Sequence, residues 1–173
     1  MEQLSHFDDK FSKEKFPITL VLDNITGEAN IGSIFRLADA FNIEKIIFSG
    51  IEPNLESRRL QKTSRSTHKT VKYEFIDNAI GFIKNAKTNS EIFSLEITSA
   101  SIPIDDFQYS GNKKEIILIL GNESSGINKE FLDISDKHLH INMFGQNSSM
   151  NVAQATGIAL YEISKTISAF DKK

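Results

Sequence analysis

Short, nearly continuous apolar runs alternate along this chain with stretches in which apolar residues recur at helical spacing, and no other feature constrains the fold as strongly. Ile18-Thr19-Leu20-Val21-Leu22 reads as a strand buried on both faces. Ile31, Ile34, Leu37, Ala38 and Phe41 then share one helix face, and Glu44-Lys45-Ile46-Ile47-Phe48-Ser49-Gly50 returns as a second strand ended by glycine. Together they make a βαβ unit, whose two strands are parallel. Further strands are expected at Val71–Ile76, Ile92–Ile97, Glu115–Leu120 and His138–Met143, with helices at Asp77–Ala86, Asn128–Ile134 and Asn151–Ile167. The expected fold class is therefore α/β, built on a mostly parallel sheet. With 173 residues, 39% of them hydrophobic, and no repeat or linker, the chain reads as a single domain over 1–173.

Composition removes several chemistries. Cysteine is absent, so there is no disulfide framework, thiol nucleophile or cysteine-ligated metal, and the cytoplasm is the expected compartment. The longest apolar run, Ile116–Leu120, is far short of the roughly 20 residues of a membrane span, and Met1–Ser5 has no signal-peptide pattern. His6, His68, His138 and His140 show no metal-ligand spacing beyond one His-x-His, and no metal site is expected. The Gly-x-x-x-x-Gly-Lys-Ser/Thr, Gly-x-Gly-x-x-Gly and Gly-x-Ser-x-Gly patterns are missing, and Asp105-Asp106 falls in a surface loop.

The formal net charge is −3, yet Arg58, Arg59, Lys62, Arg65, Lys69 and Lys72 stand in fifteen residues without an acid. Such a segment, interleaved with Ser, Thr and His, suits contacts to a phosphate backbone; a solvated loop or helix face is the bland alternative.

In open α/β sheets, ligands gather beyond the carboxyl ends of the strands. Three loops expected there are dense in Gly, Asn, Ser and Glu: Asp23–Gly32, Gly121–Gly126 and Gly145–Asn151. On the helix after the first loop, Arg36 lies opposite the apolar stripe, free to face a ligand or solvent. Asn30 suits a helix cap. Glu123 is a lone carboxylate in a small-residue turn, open to a turn role or a functional one. Ser149 or Asn151 can cap the C-terminal helix, whose stripe is read as Val152, Ala155, Ile158, Ala159, Glu162 and Ile163, packing inside the monomer or between two copies.

In this order the loops resemble the three signature motifs of the SpoU/TrmH branch of the SPOUT superfamily, the RNA 2′-O-ribose methyltransferases. Asn30-Ile31-Gly32-Ser33-Ile34-Phe35-Arg36 is similar to motif one, Leu120-Gly121-Asn122-Glu123-Ser124-Ser125-Gly126 to motif two, and Ile141 through Ser149-Met150-Asn151 to Tyr161-Glu162 to motif three. Lys62-Thr63-Ser64-Arg65-Ser66-Thr67 resembles the stretch between the first two, and the likeness covers about residues 17–168. The chain departs at Asn142, where the family usually has proline between isoleucine and methionine.

The resemblance implies a C-terminal deep trefoil knot, with S-adenosylmethionine held there by Leu95, Gly121, Asn122, Ile141, Ser149 and Met150. It implies a homodimer with the active site at the interface and the last helix among the packing elements. The reaction implied is methyl transfer to a ribose 2′-hydroxyl, on tRNA first and ribosomal RNA as the alternative; a non-catalytic knotted RNA-binding dimer is the third reading. Arg36 becomes the catalytic residue, supported by Asn30, Glu123, Ser149 and Asn151. A guanidinium is too basic to act as a free base, so Arg36 is read as holding the adjacent phosphate and stabilising the forming alkoxide. No separate RNA-binding domain is read in the chain, which leaves RNA recognition to Arg58, Arg59, Lys62, Arg65 and Lys69.

Overall fold

The structure, a computed structural model, describes residues 13–112 and 114–170. The N-terminal Met1–Ser5, His6 and Lys172-Lys173 lie outside the described residues. The strands are β1 (Phe16–Asp23), β2 (Ile43–Ser49), β3 (Tyr73–Ile76), β4 (Ser90–Leu95), β5 (Ile102–Pro103), β6 (Glu115–Leu120) and β7 (Lys137–His140). They form one sheet in the order β3-β2-β1-β6-β4-β7-β5, and every pairing is parallel. Between and after them run α1 (Glu28–Ala40), α2 (Arg58–Ser64), α3 (Ile80–Ala86), α4 (Lys129–Ile134) and α5 (Val152–Phe170).

Both faces of the sheet are covered, which is why its central strands read as unbroken apolar runs. Leu20, Leu22, Ile46, Phe48 and Leu118 point to the side of α1, α2 and α5, where they pack with Ile34, Phe35, Leu60, Leu160 and Ile163. Their neighbours Val21, Ile47, Ile117 and Ile119 point the other way, against Ile80 and Ile83 of α3 and Phe131 of α4. Each fully buried side chain of this kind contributes roughly 1.5–3 kcal/mol.

Expected elements are recovered, with shifted ends. The strand expected over His138–Met143 stops at His140, because β5 offers it only Ile102 and Pro103 as partners and no strand lies beyond among the described residues. The one expected over Ile92–Ile97 occupies Ser90–Leu95, and that over Val71–Ile76 begins at Tyr73. The helix expected from Asp77 starts at Ile80, since Asn78 Oδ1 accepts the Ile80 N–H and makes a turn first. Asp105-Asp106 ends a short 3₁₀ turn, exposed as expected.

Two readings need correction. Glu28 to Ala40 is helical and Gly27 is the N-cap, so Asn30 lies inside the first turn and does not cap. In α5 the buried positions are Ala153, Thr156, Ala159, Leu160, Ile163, Ser164 and Ile167. That face is rotated from the expected stripe: Ile158 and Tyr161 are left exposed. The basic segment is a short helix, α2, followed by a 3₁₀ turn at Thr67–Lys69.

Candidate active site

The loops that follow β1, β6 and β7 meet at the carboxyl edge of the sheet through a bridge of side chains. Asn30 Nδ2 donates to Glu123 Oε1, and Asn151 Nδ2 donates to Asn30 Oδ1 at 2.9 Å. Asn151 also caps α5, its Oδ1 accepting the N–H groups of Ala153 (3.0 Å) and Gln154 (3.3 Å). Three residues far apart in the chain thus tie the N-terminal ends of α1 and α5 to the turn after β6.

That turn is closed by its own backbone. Asn122 and Gly126 exchange N–H···O bonds of 3.1 and 2.9 Å, and the Asn122 side chain accepts from Ser124 N–H and donates to the Asn24 carbonyl at 2.7 Å. A Cβ on Gly121 would sit 2.4 Å from the Gly126 carbonyl carbon, so only glycine fits there. Asp23, 2% exposed, secures the same junction by accepting the Asn128 N–H at 2.6 Å. The sequence reading does not single out Asp23; its place at the end of the first strand is the only signal for it.

Arg36 is exposed on the outer side of α1, as its helical phase requires. It lines a groove of about 1250 Å³ between α1, α2 and α5, together with Lys62, Thr63, Arg65, Met150 and Asn151. Gly32 makes this possible: a Cβ there would lie 2.0 Å from Thr63 Oγ1 and 2.4 Å from the Leu60 carbonyl oxygen, so its bare Cα lets α2 rest directly on α1. Ser57 starts α2 by accepting the Arg59 and Leu60 N–H groups. Arg58, Arg59 and Lys69 are exposed but lie outside the groove lining. The groove lining is also partly apolar, with Leu37, Phe41, Ile158 and Tyr161.

A second, smaller cavity of about 110 Å³ lies beside it, where β4 and β7 end. Leu95, Ile97, Ile141, Met143 and Met150 give it apolar walls, and Glu96, His140 and Ser149 give polar edges. Of the six cofactor positions expected, Leu95, Ile141, Ser149 and Met150 line this space, whereas Gly121 and Asn122 form the neighbouring turn. Met150 lines both the cavity and the groove. Glu96, which the sequence reading does not flag, accepts the Ile127 N–H at 3.1 Å and so ties the cavity wall to the same turn.

Among the described residues no group of three His, Asp or Glu side chains could hold a metal, and no helix is long and apolar enough to cross a membrane. His138 and His140 instead face Thr98 and Ser101, at 3.5 and 3.0 Å.

Comparison with known proteins matches residues 17–161 to the model of the SpoU rRNA Methylase family. The chain belongs to that family. A relative from Aquifex aeolicus, a tRNA (guanosine(18)-2′-O)-methyltransferase, is 27% identical over 162 residues, covering 93% of this chain and 75% of its own. A 23S rRNA (guanosine-2′-O-)-methyltransferase of Blochmanniella floridana is 28% identical over 162 residues, with 93% and 62% covered. Among solved structures, the A. aeolicus TrmH/SpoU tRNA modifying enzyme superposes with a TM-score of 0.81 at 26% identity, over 92% of this chain and 79% of that one. In this SpoU family member, all three motif loops contribute to the bridge, and all three lie at one edge of the sheet.

Proposed function

We propose that this SpoU family member is an S-adenosylmethionine-dependent RNA methyltransferase that modifies a ribose 2′-hydroxyl, on tRNA or, as the alternative, ribosomal RNA. The observation that carries the reading is the junction itself: a cationic groove holding Arg36 and a small apolar cavity share Met150, beside the Asn30–Glu123–Asn151 bridge. Names of relatives support both RNA classes, and tRNA leads because the A. aeolicus enzyme is similar in both sequence and structure.

The cavity lining fits the cofactor. Leu95, Ile141 and Met150 offer apolar surface to a flat base, while Glu96, His140 and Ser149 offer polar groups at its edge. When bound, S-adenosylmethionine supplies an electrophilic methyl group on a sulfonium. Arg36 grips the phosphate next to the target ribose with its planar guanidinium fork and stabilises the negative charge that develops on the 2′-oxygen. The hydroxyl proton leaves with help from that phosphate. Asn30, Glu123 and Asn151 hold the motif loops, and thereby Arg36, in register, while Ser149 orients the sugar; positioning supplies much of the rate. Arg58, Arg59, Lys62, Arg65 and Lys69 hold the RNA backbone.

The same reading makes the region matched to the family, residues 17–161, one cytoplasmic catalytic domain. It makes the protein a homodimer, the exposed Ile158 and Tyr161 with Leu37 and Phe41 taking a second copy and Arg36, Lys62 and Arg65 left to RNA. A C-terminal trefoil knot is supported by the strand order, in which β6 enters between β1 and β4 and β7 follows beyond β4. The test is incubation with radiolabelled S-adenosylmethionine and separate pools of total tRNA and ribosomal RNA, followed by nuclease digestion. Labelled 2′-O-methylnucleosides in one pool identify the substrate class, and absence of label from both overturns the proposal. Light scattering at twice the 19.4 kDa chain mass tests the dimer.

A further inference from the structure

Between α2 and the 3₁₀ turn, Arg65 and Ser66 both have left-handed backbone, with φ of 48° and 73°. Neither is glycine, and two such residues in succession persist only where their surroundings over-determine them. Here the surroundings do. Ser64 Oγ and His68 Nδ1 are hydrogen-bonded at 2.7 Å, and both residues are buried. Thr67 Oγ1 donates to the Ser64 carbonyl at 2.7 Å, and the His68 ring packs edge-on against Phe35 of α1, 6.3 Å between centroids. The result is a short loop pinned across its base, with Arg65 at the exposed tip.

That tip reaches the groove of Arg36. Arg36, Lys62 and Arg65 all line it, and no acidic side chain does. Among the described residues no carboxylate pairs with any of the three. Three cations without a counter-charge select a polyanion, and because the backbone under Arg65 is already fixed, only the side chain has to be ordered when its guanidinium fork grips a phosphate. Arg58, Arg59 and Lys69 lack that arrangement, since they lie outside the groove lining.

We infer that Arg65 is a second phosphate-binding guanidinium of the reaction groove, holding a phosphate of the strand that Arg36 also holds, and that Ser64 and His68 are positioning residues that set it there. The inference rests on the RNA reading above and goes beyond it by separating Arg65 from the general basic surface. Two fixed phosphates define where the sugar between them lies.

The test is a double-mutant cycle read by filter binding of in vitro transcribed tRNA across a salt series, which needs no turnover. R65A weakens binding about tenfold or more, as loss of a charge-assisted hydrogen bond does, and lowers the slope of log K against log salt by close to one. H68A lowers Tm and weakens binding several-fold, while H68Q, which keeps a hydrogen-bonding group toward Ser64, restores part of the affinity. In the R65A background, H68A lowers Tm as before and leaves RNA binding unchanged. An R65A slope equal to wild type, or effects of R65A and H68A on affinity that multiply, overturns the inference. Wild-type protein that binds tRNA as described but methylates no RNA sinks the proposed reaction and leaves the arginine assignment standing. Wild-type protein that binds no RNA sinks both.

Discussion

The groove and the cavity lie side by side and are made in opposite ways. The groove is walled by three helices, and its chemistry comes from side chains: Arg36, Lys62 and Arg65 project from helices or helix ends. The cavity is walled by strand ends and by the irregular segment after β7, and its shape comes from where the backbone turns. A groove of the first kind is tuned one residue at a time. A cavity of the second kind changes only when its loops move, which is why Gly121 and Gly126, lining neither space, still matter to it.

The largest expected effect is Arg36→Ala, which should lower kcat by about 10³-fold, within the roughly 2.7–4 kcal/mol that one charge-stabilising donor supplies. Titration calorimetry with S-adenosylmethionine should give an unchanged Kd. A variant that lost cofactor binding as well would show that groove and cavity are not separable.

Next is Gly32→Ala. The new Cβ collides with Thr63 and the Leu60 carbonyl, so α2 must shift at a cost of about 1–3 kcal/mol in stability. Thermal denaturation should show the loss and RNA binding should weaken, again with cofactor affinity intact. A smaller change is expected from Glu123→Ala, which strands the Asn30 amide and costs about 1 kcal/mol. Because the bridge serves both spaces, KM for RNA and Kd for cofactor should rise together; movement of one alone would break the view that the bridge couples them. The smallest is Asn142→Pro, which installs the usual family residue beside Ile141. Stiffening the loop should improve cofactor affinity by less than about fivefold, the equivalent of up to 1 kcal/mol, and leave RNA binding untouched.

The strands were legible because burial on both sheet faces leaves an apolar run, and Arg36 was legible because a helix of α1's periodicity has one outward side. The face of α5 was not. Val152, Ala155, Ile158 and Tyr161 on one flank and Ala153, Leu160 and Ile163 on the other make the helix apolar nearly all round, and periodicity cannot choose between two apolar sides. Asn30 looks like a cap because it stands immediately before Ile31, the first apolar residue of the α1 stripe. The chain already coils from Glu28, and apolar spacing does not mark the first three helical residues, Glu28, Ala29 and Asn30. The cavity was reached only through motif resemblance: its walls belong largely to residues without regular structure, whose meeting depends on long-range strand order.

The bridge also has a consequence for how the molecule is made. Asn30 meets a partner 93 residues later and another 121 residues later. During synthesis on the ribosome, the first sheet pairings and α1 can form long before either partner has emerged. Asn30 then has neither of its partners, and the bridge cannot close until the start of the final helix has been translated and docked.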